Sequence, residues 1–210
     1  MERVDNYRLQ VEQAQKYFLR YDQNRLIEKL KLKADETYLY TKMLGSSYRI
    51  HRSTGQVQRL DAEWVETCDH GEVMTLLDLV CDSREDRFPT GRWQNMTNFG
   101  KVFHRSLMED QADPFAEMIQ GNPEGFCRAC EALGGIPGPG GDISFVLPVF
   151  DRLKMAIQFW EGDDEFPSRI RWLWDENALM YLKYETMWFA LGMLRAKIRR
   201  KMEKESEIIV

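Results

Sequence analysis

The sequence predicts an α+β protein in which two antiparallel β-meanders, Thr37–Leu60 and Asp142–Trp174, pack with several helices and a long C-terminal helix. Three observations carry that expectation. Apolar residues recur at every second position through both spans, the period of a strand with one buried face. Runs of Gly, Ser, Pro and Asp interrupt each span where hairpins would turn. Outside them, apolar residues return at spacings of three and four, the mark of amphipathic helices.

From Asn6 to about Leu32, the residues Tyr7, Val11, Ala14 and Phe18, then Leu26, Ile27 and Leu30, share a helix face. Tyr21-Asp22-Gln23-Asn24 predicts a break in its middle. The first meander follows, with turns at Gly45-Ser46-Ser47 and Ser53-Thr54-Gly55. Val73, Leu76, Leu77 and Val80 predict a helix after Asp69-His70-Gly71, and Ser83 to Gly91 reads as polar loop. Met96, Phe99, Phe103 and Leu107 predict a further helix after Trp93. Pro114–Ile119 and Pro123–Leu133 are short helices, the second begun by Asn122 and ended by Gly134.

The glycine- and proline-rich stretch 134–141 is the sharpest break in the chain. It reads as a loop inside a single domain over residues 1–210, the alternative being a sub-boundary within it. Neither half by itself supplies complete layers of structure. In the second meander, Ile143, Phe145 and Leu147 share a face, as do Leu153, Met155, Ile157 and Phe159, and then Ile170, Trp172 and Trp174. Asp175 stands where an N-cap belongs, ahead of a helix from about Glu176 to Lys201. Lys183 and Glu185 interrupt its wide apolar face, so it is not a membrane span.

Gly141-Asp142, the run Phe159–Pro167, Trp174-Asp175-Glu176-Asn177 and Tyr184-Glu185-Thr186 resemble the signature of domain-of-unknown-function family 3786. Gly91-Arg92-Trp93 and Leu133-Gly134-Gly135 extend the resemblance over most of the chain. That family is common in anaerobic bacteria and archaea, and some members carry an appended cysteine segment of iron–sulfur type. The resemblance therefore implies a setting in anaerobic redox or corrinoid metabolism. No such segment stands in this sequence, and the resemblance carries no catalytic residue across.

A length of 210 residues suits one sizeable core, and 43% hydrophobic with 30% charged residues is ordinary for a globular chain. The net charge of -5 gives no electrostatic reason to expect nucleic acid or an anionic membrane as partner. A polar opening without an apolar h-region, and 4 cysteines too sparse for a disulfide framework, point to the cytoplasm.

Glu161, Asp163, Asp164 and Glu165 crowd carboxylates between two strands, an oxygen-rich set that suits a hard cation or a water-activating hydrolase. The spacing of a calcium loop is absent, so a solvated turn is expected. Cys127 and Cys130 lie at i, i+3 on one helix face. With Cys68 and His70 they would complete a zinc set, and with Cys68 and Cys81 an iron–sulfur set. No second pair matches theirs, so buried apolar thiols are expected. No metal is assigned; Asp163, Asp164, Glu165, Cys127 and Cys130 are the residues that would hold one. Cofactors stay unassigned. The glycine loop lacks a following Gly-Lys-Ser/Thr and leads into a strand, so it is no phosphate cradle. His51, His70 and His104 are too scattered for a triad.

The leading expectation is a small-molecule or cofactor-binding protein with a planar ligand. Its ligand-binding residues are Trp172, Trp174, Tyr181, Glu185 and Trp188: two indoles on one strand face and a stripe on the last helix, which runs back across the strands. A carboxylate on so apolar a helix needs a partner or a cavity. An ion pair of Glu185 with Arg169 or Arg171 is the plainer alternative, and Gly192 would permit close approach. The second expectation is a metal-dependent, hydrolase-like enzyme using the acidic loop. The third is an interaction module, in its simplest form a homodimer, with aromatics at the interface.

Overall fold

The structure, a computed structural model, describes residues 6–100 and 113–208. Among these are six helices and two five-stranded antiparallel sheets, the α+β architecture that the period-2 spans predict. No helix of the described residues is long and apolar enough to cross a membrane. The chain divides into two compact units. One comprises Met1–Arg87 with Met180–Met193, the other Phe88–Leu179 with Leu194–Val210.

In the first unit the expected N-terminal helix is broken into α1 (Asn6–Phe18) and α2 (Gln23–Leu30). The break falls where Asp22 turns its carboxylate onto the free amides of Asn24 and Arg25, at 3.0 and 3.3 Å. The sheet follows as β1 (Lys33–Ala34), β2 (Tyr38–Met43), β3 (Ser46–His51), β4 (Val57–Leu60) and β5 (Trp64–Glu66), in that spatial order. Leu39, Met43, Tyr48, Ile50 and Val57 fill its buried face. The alternate residues Tyr38, Tyr40, Arg49, His51 and Gln58 are half-buried on the other.

Helix α3 (His70–Asp82) is buried nearly all round, and a polar knot ties it to the sheet. The Glu72 carboxylate accepts from the Tyr48 hydroxyl, from Thr67 Oγ1 at 2.5 Å and from Arg59 Nη1 at 2.8 and 2.9 Å. Burial pushes its pKa up, but these donors outweigh burial and hold the carboxyl below its usual range.

In the second unit β6 (Trp93–Asn95), β7 (Ile136–Pro137), β8 (Ile143–Phe150), β9 (Leu153–Trp160) and β10 (Arg169–Asp175) form a sheet in the order β6-β10-β9-β8-β7. Helices α4 (Pro114–Gly121) and α5 (Pro123–Ala132) cover one face. Phe115 stands edge-on to Trp172 at 5.3 Å and Phe126 to Phe145 at 6.0 Å. Asn122 caps α5 as expected, its side chain accepting from Gly125 N at 2.9 Å. Where the sequence predicts a helix after Trp93, the chain instead pairs Trp93–Asn95 with β10 and makes one 3-10 turn, Met96–Asn98. Phe103, His104 and Leu107 lie outside the described residues.

The last helix, α6 (Tyr184–Ile208), starts well past the expected Glu176. Asp175 does not cap it. Its buried carboxylate accepts from the amides of Thr90 at 2.9 Å, Gly91 at 2.7 Å and Asn177 at 2.9 Å, and a 3-10 turn, Ala178–Met180, comes next. The first turn of α6 is held by Asp78 of α3 instead, which accepts from Lys183 N at 2.7 Å and from the Thr186 hydroxyl.

The glycine-rich stretch lies flat on its sheet. It contains β7, and Gln158 Nε2 donates to Pro139 O at 2.7 Å. Gly141 has φ +73°, and a Cβ there would stand 2.6 Å from Phe159 O. Gly192, expected to permit close approach, has nothing within 4 Å of the same position. Gly141→Ala should therefore destabilise by about 1–2 kcal/mol, and Gly192→Ala should stabilise α6 by up to about 1 kcal/mol. Urea midpoints moving in the same direction for both would refute this steric account.

Candidate functional site

Strand alternation and register gather an aromatic group on the half-buried face of the first sheet. Tyr40 lies opposite Arg49, and Arg49 opposite Gln58. The Arg49 guanidinium stands 3.9 Å from the centre of the Tyr38 ring and 4.7 Å from that of Trp64, within cation–π reach of both. Its Nε donates to Gln58 Oε1 at 2.6 Å. Tyr40 and Trp64 belong to strands three spacings, roughly 14 Å, apart, yet their ring centres are 6.1 Å apart. Both side chains therefore lie down over the sheet and meet above β3 and β4.

Asp35 is the acid that feels the charge of Arg49, and its carboxylate is also bonded locally. It accepts from Thr37 N at 2.8 Å, Tyr38 N at 2.7 Å and the Tyr40 hydroxyl at 2.7 Å, and the Tyr40 bond foremost holds it below the usual carboxylate range. Among the described residues no carboxylate forms an ion pair with Arg49. The guanidinium thus lies within reach of two rings, with Nε satisfied by Gln58 and, among the described residues, no ion-paired carboxylate. The alternation of Tyr38 with Tyr40, and of Arg49 with His51, was the available sequence signal. Trp64 could not be added without β5.

The expected ligand residues are distributed differently. Trp172 and Trp174 are buried in the second unit, and their indole N–H groups have no acceptor among the described residues. Arg195, bonded to Asp113 at 2.7 Å, lies over the Phe115 and Trp172 rings. Tyr181, Glu185 and Trp188 belong to the first unit, Tyr181 fully buried and Trp188 half-buried. Glu185 is exposed. With α6 starting at Tyr184 it falls in the first turn, where the helix dipole favours a carboxylate without any buried partner. Arg171, the ion-pair alternative for it, lies over the Trp160 ring.

The acidic loop is exposed, and Asp163 is used within it. Its Oδ1 accepts from Glu165 N at 2.9 Å and Phe166 N at 2.8 Å, which lowers its pKa. Cys127 is half-buried and Cys130 buried on α5, whereas Cys68 and Cys81 belong to the other unit. Burial pushes the Cys81 thiol up to about 12 and raises Cys127 and Cys130. No group of three or more His, Cys, Asp or Glu among the described residues is placed to hold an ion.

An open groove of about 560 Å³ is lined by Asp22, Asn24, Arg25, Glu28, Lys29 and Glu85. It has no apolar wall, and its lysine is committed: Lys29 Nζ donates to Cys81 O and Ser83 O at 2.9 Å, capping the end of α3. That is fold chemistry rather than a ligand site.

A family model described as Domain of unknown function (DUF3786) matches residues 22–197. The chain belongs to the DUF3786 family. Neither the curated proteins nor the solved structures contain a match to it. In this DUF3786 chain several residues that carry the resemblance hold backbone in place. Asp142 accepts from Glu161 N at 2.8 Å, Asp163 closes its own turn, and Asp175 receives the amides of Thr90 and Gly91. Arg92 pairs with Glu176, and Thr186 bonds Asp78 at the start of α6. Asp142, Asp163, Asp175 and Glu176 of the motifs thus bond within the fold, while Glu161, Asp164, Glu165 and Glu185 are exposed.

Proposed function

We propose that the protein binds a planar small molecule, a cofactor or metabolite, on the outer face of its first sheet, stacked against Tyr38, Tyr40 and Trp64. One observation carries the reading: Arg49 lies against two aromatic rings and, among the described residues, makes no ion pair with a carboxylate. Surface arginines ordinarily find an acid or water, and a cation packed against aromatic rings favours a ligand that completes its shell. The other face of the sheet carries the buried Leu39, Met43, Tyr48, Ile50 and Val57, a packed base that limits the ordering cost of binding. This keeps the binding class expected from the sequence, in a cytoplasmic setting of anaerobic metabolism, and gives it a different address.

Saturation-transfer NMR with a mixture of indole, quinoline and naphthalene-2-methanol tests the reading. Wild-type protein should show transfer, and Trp64→Ala, checked for an unchanged thermal midpoint, should bind about tenfold more weakly or worse, the scale of one lost stacking contact. Transfer that survives in Trp64→Ala but disappears in Trp188→Ala would place the ligand on the α6 stripe instead and overturn this assignment.

A further inference from the structure

Resting on that reading, we infer that the ligand is an acid: a planar aromatic molecule whose carboxylate or similar oxyanion is held by the terminal nitrogens of Arg49. The guanidinium offers five N–H donors in a fixed plane. Gln58 takes the one on Nε at 2.6 Å, which fixes the rotation of the plane; the Tyr40 oxygen takes a share of the guanidinium's donors, and the remainder lie on the fork formed by Nη1 and Nη2. Such a fork matches the two oxygens of a carboxylate, with two parallel bonds in one plane. The Tyr38 and Trp64 ring centres stand 3.9 and 4.7 Å from the guanidinium carbon, and this aromatic surrounding strengthens a charge pair made beside it.

The surrounding charge favours an anion as well. Register puts Lys33 opposite Tyr40, and alternation puts Lys42 on the same face as Tyr38 and Tyr40. Glu66, opposite Gln58, is the acid that the strands of this face contribute. The chain as a whole carries -5, so a face with Lys33, Lys42 and Arg49 against Glu66 and Asp35 still runs against the overall balance. Asp35 lies within the field of Arg49, but its two oxygens already accept three bonds, from Thr37 N, Tyr38 N and the Tyr40 hydroxyl. The Tyr40 hydroxyl donates to Asp35, so Tyr40 contributes its ring to the ligand and not its proton.

The test compares two probes of the same shape, 2-naphthoate and 2-naphthamide, by calorimetric titration. Wild-type protein should bind the naphthoate at least tenfold tighter than the amide. Arg49→Gln should abolish that preference while leaving the amide affinity within about twofold, and Arg49→Lys, a point charge without a fork, should restore only part of it. Equal affinity of wild-type protein for both probes would overturn the acid assignment and leave the planar site standing. No binding of either would overturn the acid assignment and the site together. The wild-type comparison decides the matter even if the Arg49 variants do not fold.

Discussion

Glu72→Ala is expected to lower the unfolding free energy by about 3 kcal/mol, near the lower end for breaking a buried ion pair from one side. The Glu72 side chain is 5% exposed and Arg59 is 30% exposed, so the cation left behind is only partly hydrated. Arg59 keeps Asp61 at 3.0 Å, which moderates the loss. The buried Tyr48 hydroxyl keeps Ser46 as a neighbour, whereas Thr67 Oγ1 loses the acceptor of its proton, and an unsatisfied buried donor costs about 1–3 kcal/mol. Glu72→Gln retains shape and one acceptor, so about half the loss should return. The carboxyl lies below its usual value near 4.5 in the folded protein. A depressed carboxyl stabilises above its unfolded pKa, and that stability is lost as pH falls through the folded pKa. The gap between wild type and Glu72→Gln in urea should therefore be full at neutral pH and narrow below about pH 4.5. A gap unchanged down to pH 3 would mean that the ionised carboxylate contributes nothing.

Trp174→Ala should cost about 3–5 kcal/mol, the usual range for emptying a large core site. The ring is fully buried on the face of the second sheet that carries Met155 and Trp172. Trp174→Phe should cost less than about 1.5 kcal/mol, because it also removes an indole N–H that is buried without an acceptor among the described residues. The pair of variants separates packing from binding. Trp174→Phe should bind 2-naphthoate like wild type, whereas Trp64→Ala should not. Loss of naphthoate binding in a folded Trp174→Phe protein would move the site to the second sheet.

Much of the architecture follows from interactions that reach only a few residues. Asn122 caps α5 because its side chain meets the amide of Gly125 within a single turn, and Asp22 does the same for α2. The long strands β2, β3, β8, β9 and β10 hold enough alternations to declare a buried face. Strands β1, β5, β6 and β7 have two or three residues each, less than two periods, and exist because a neighbour supplies their hydrogen bonds. No local pattern could announce them, and the reading of 134–141 as a loop missed β7 for that reason.

The sequence by itself determined the fold class, both meanders, the break between α1 and α2, and the family, because period, turn residues and motifs are local properties of the chain. Only the tertiary structure decided which partner each polar group takes. Asp175 looked like a helix cap until Thr90 and Gly91, over eighty positions upstream, claimed its oxygens. The actual partner for the start of α6 is Asp78, 105 positions before Lys183. That displacement moved Glu185 from an expected buried stripe to an exposed first turn. Likewise Arg49 reads as an ordinary strand arginine until β5 brings Trp64 over it. A carboxylate or guanidinium can be satisfied by many partners at nearly equal energy, so its choice is made by whichever the folded chain delivers within about 3 Å.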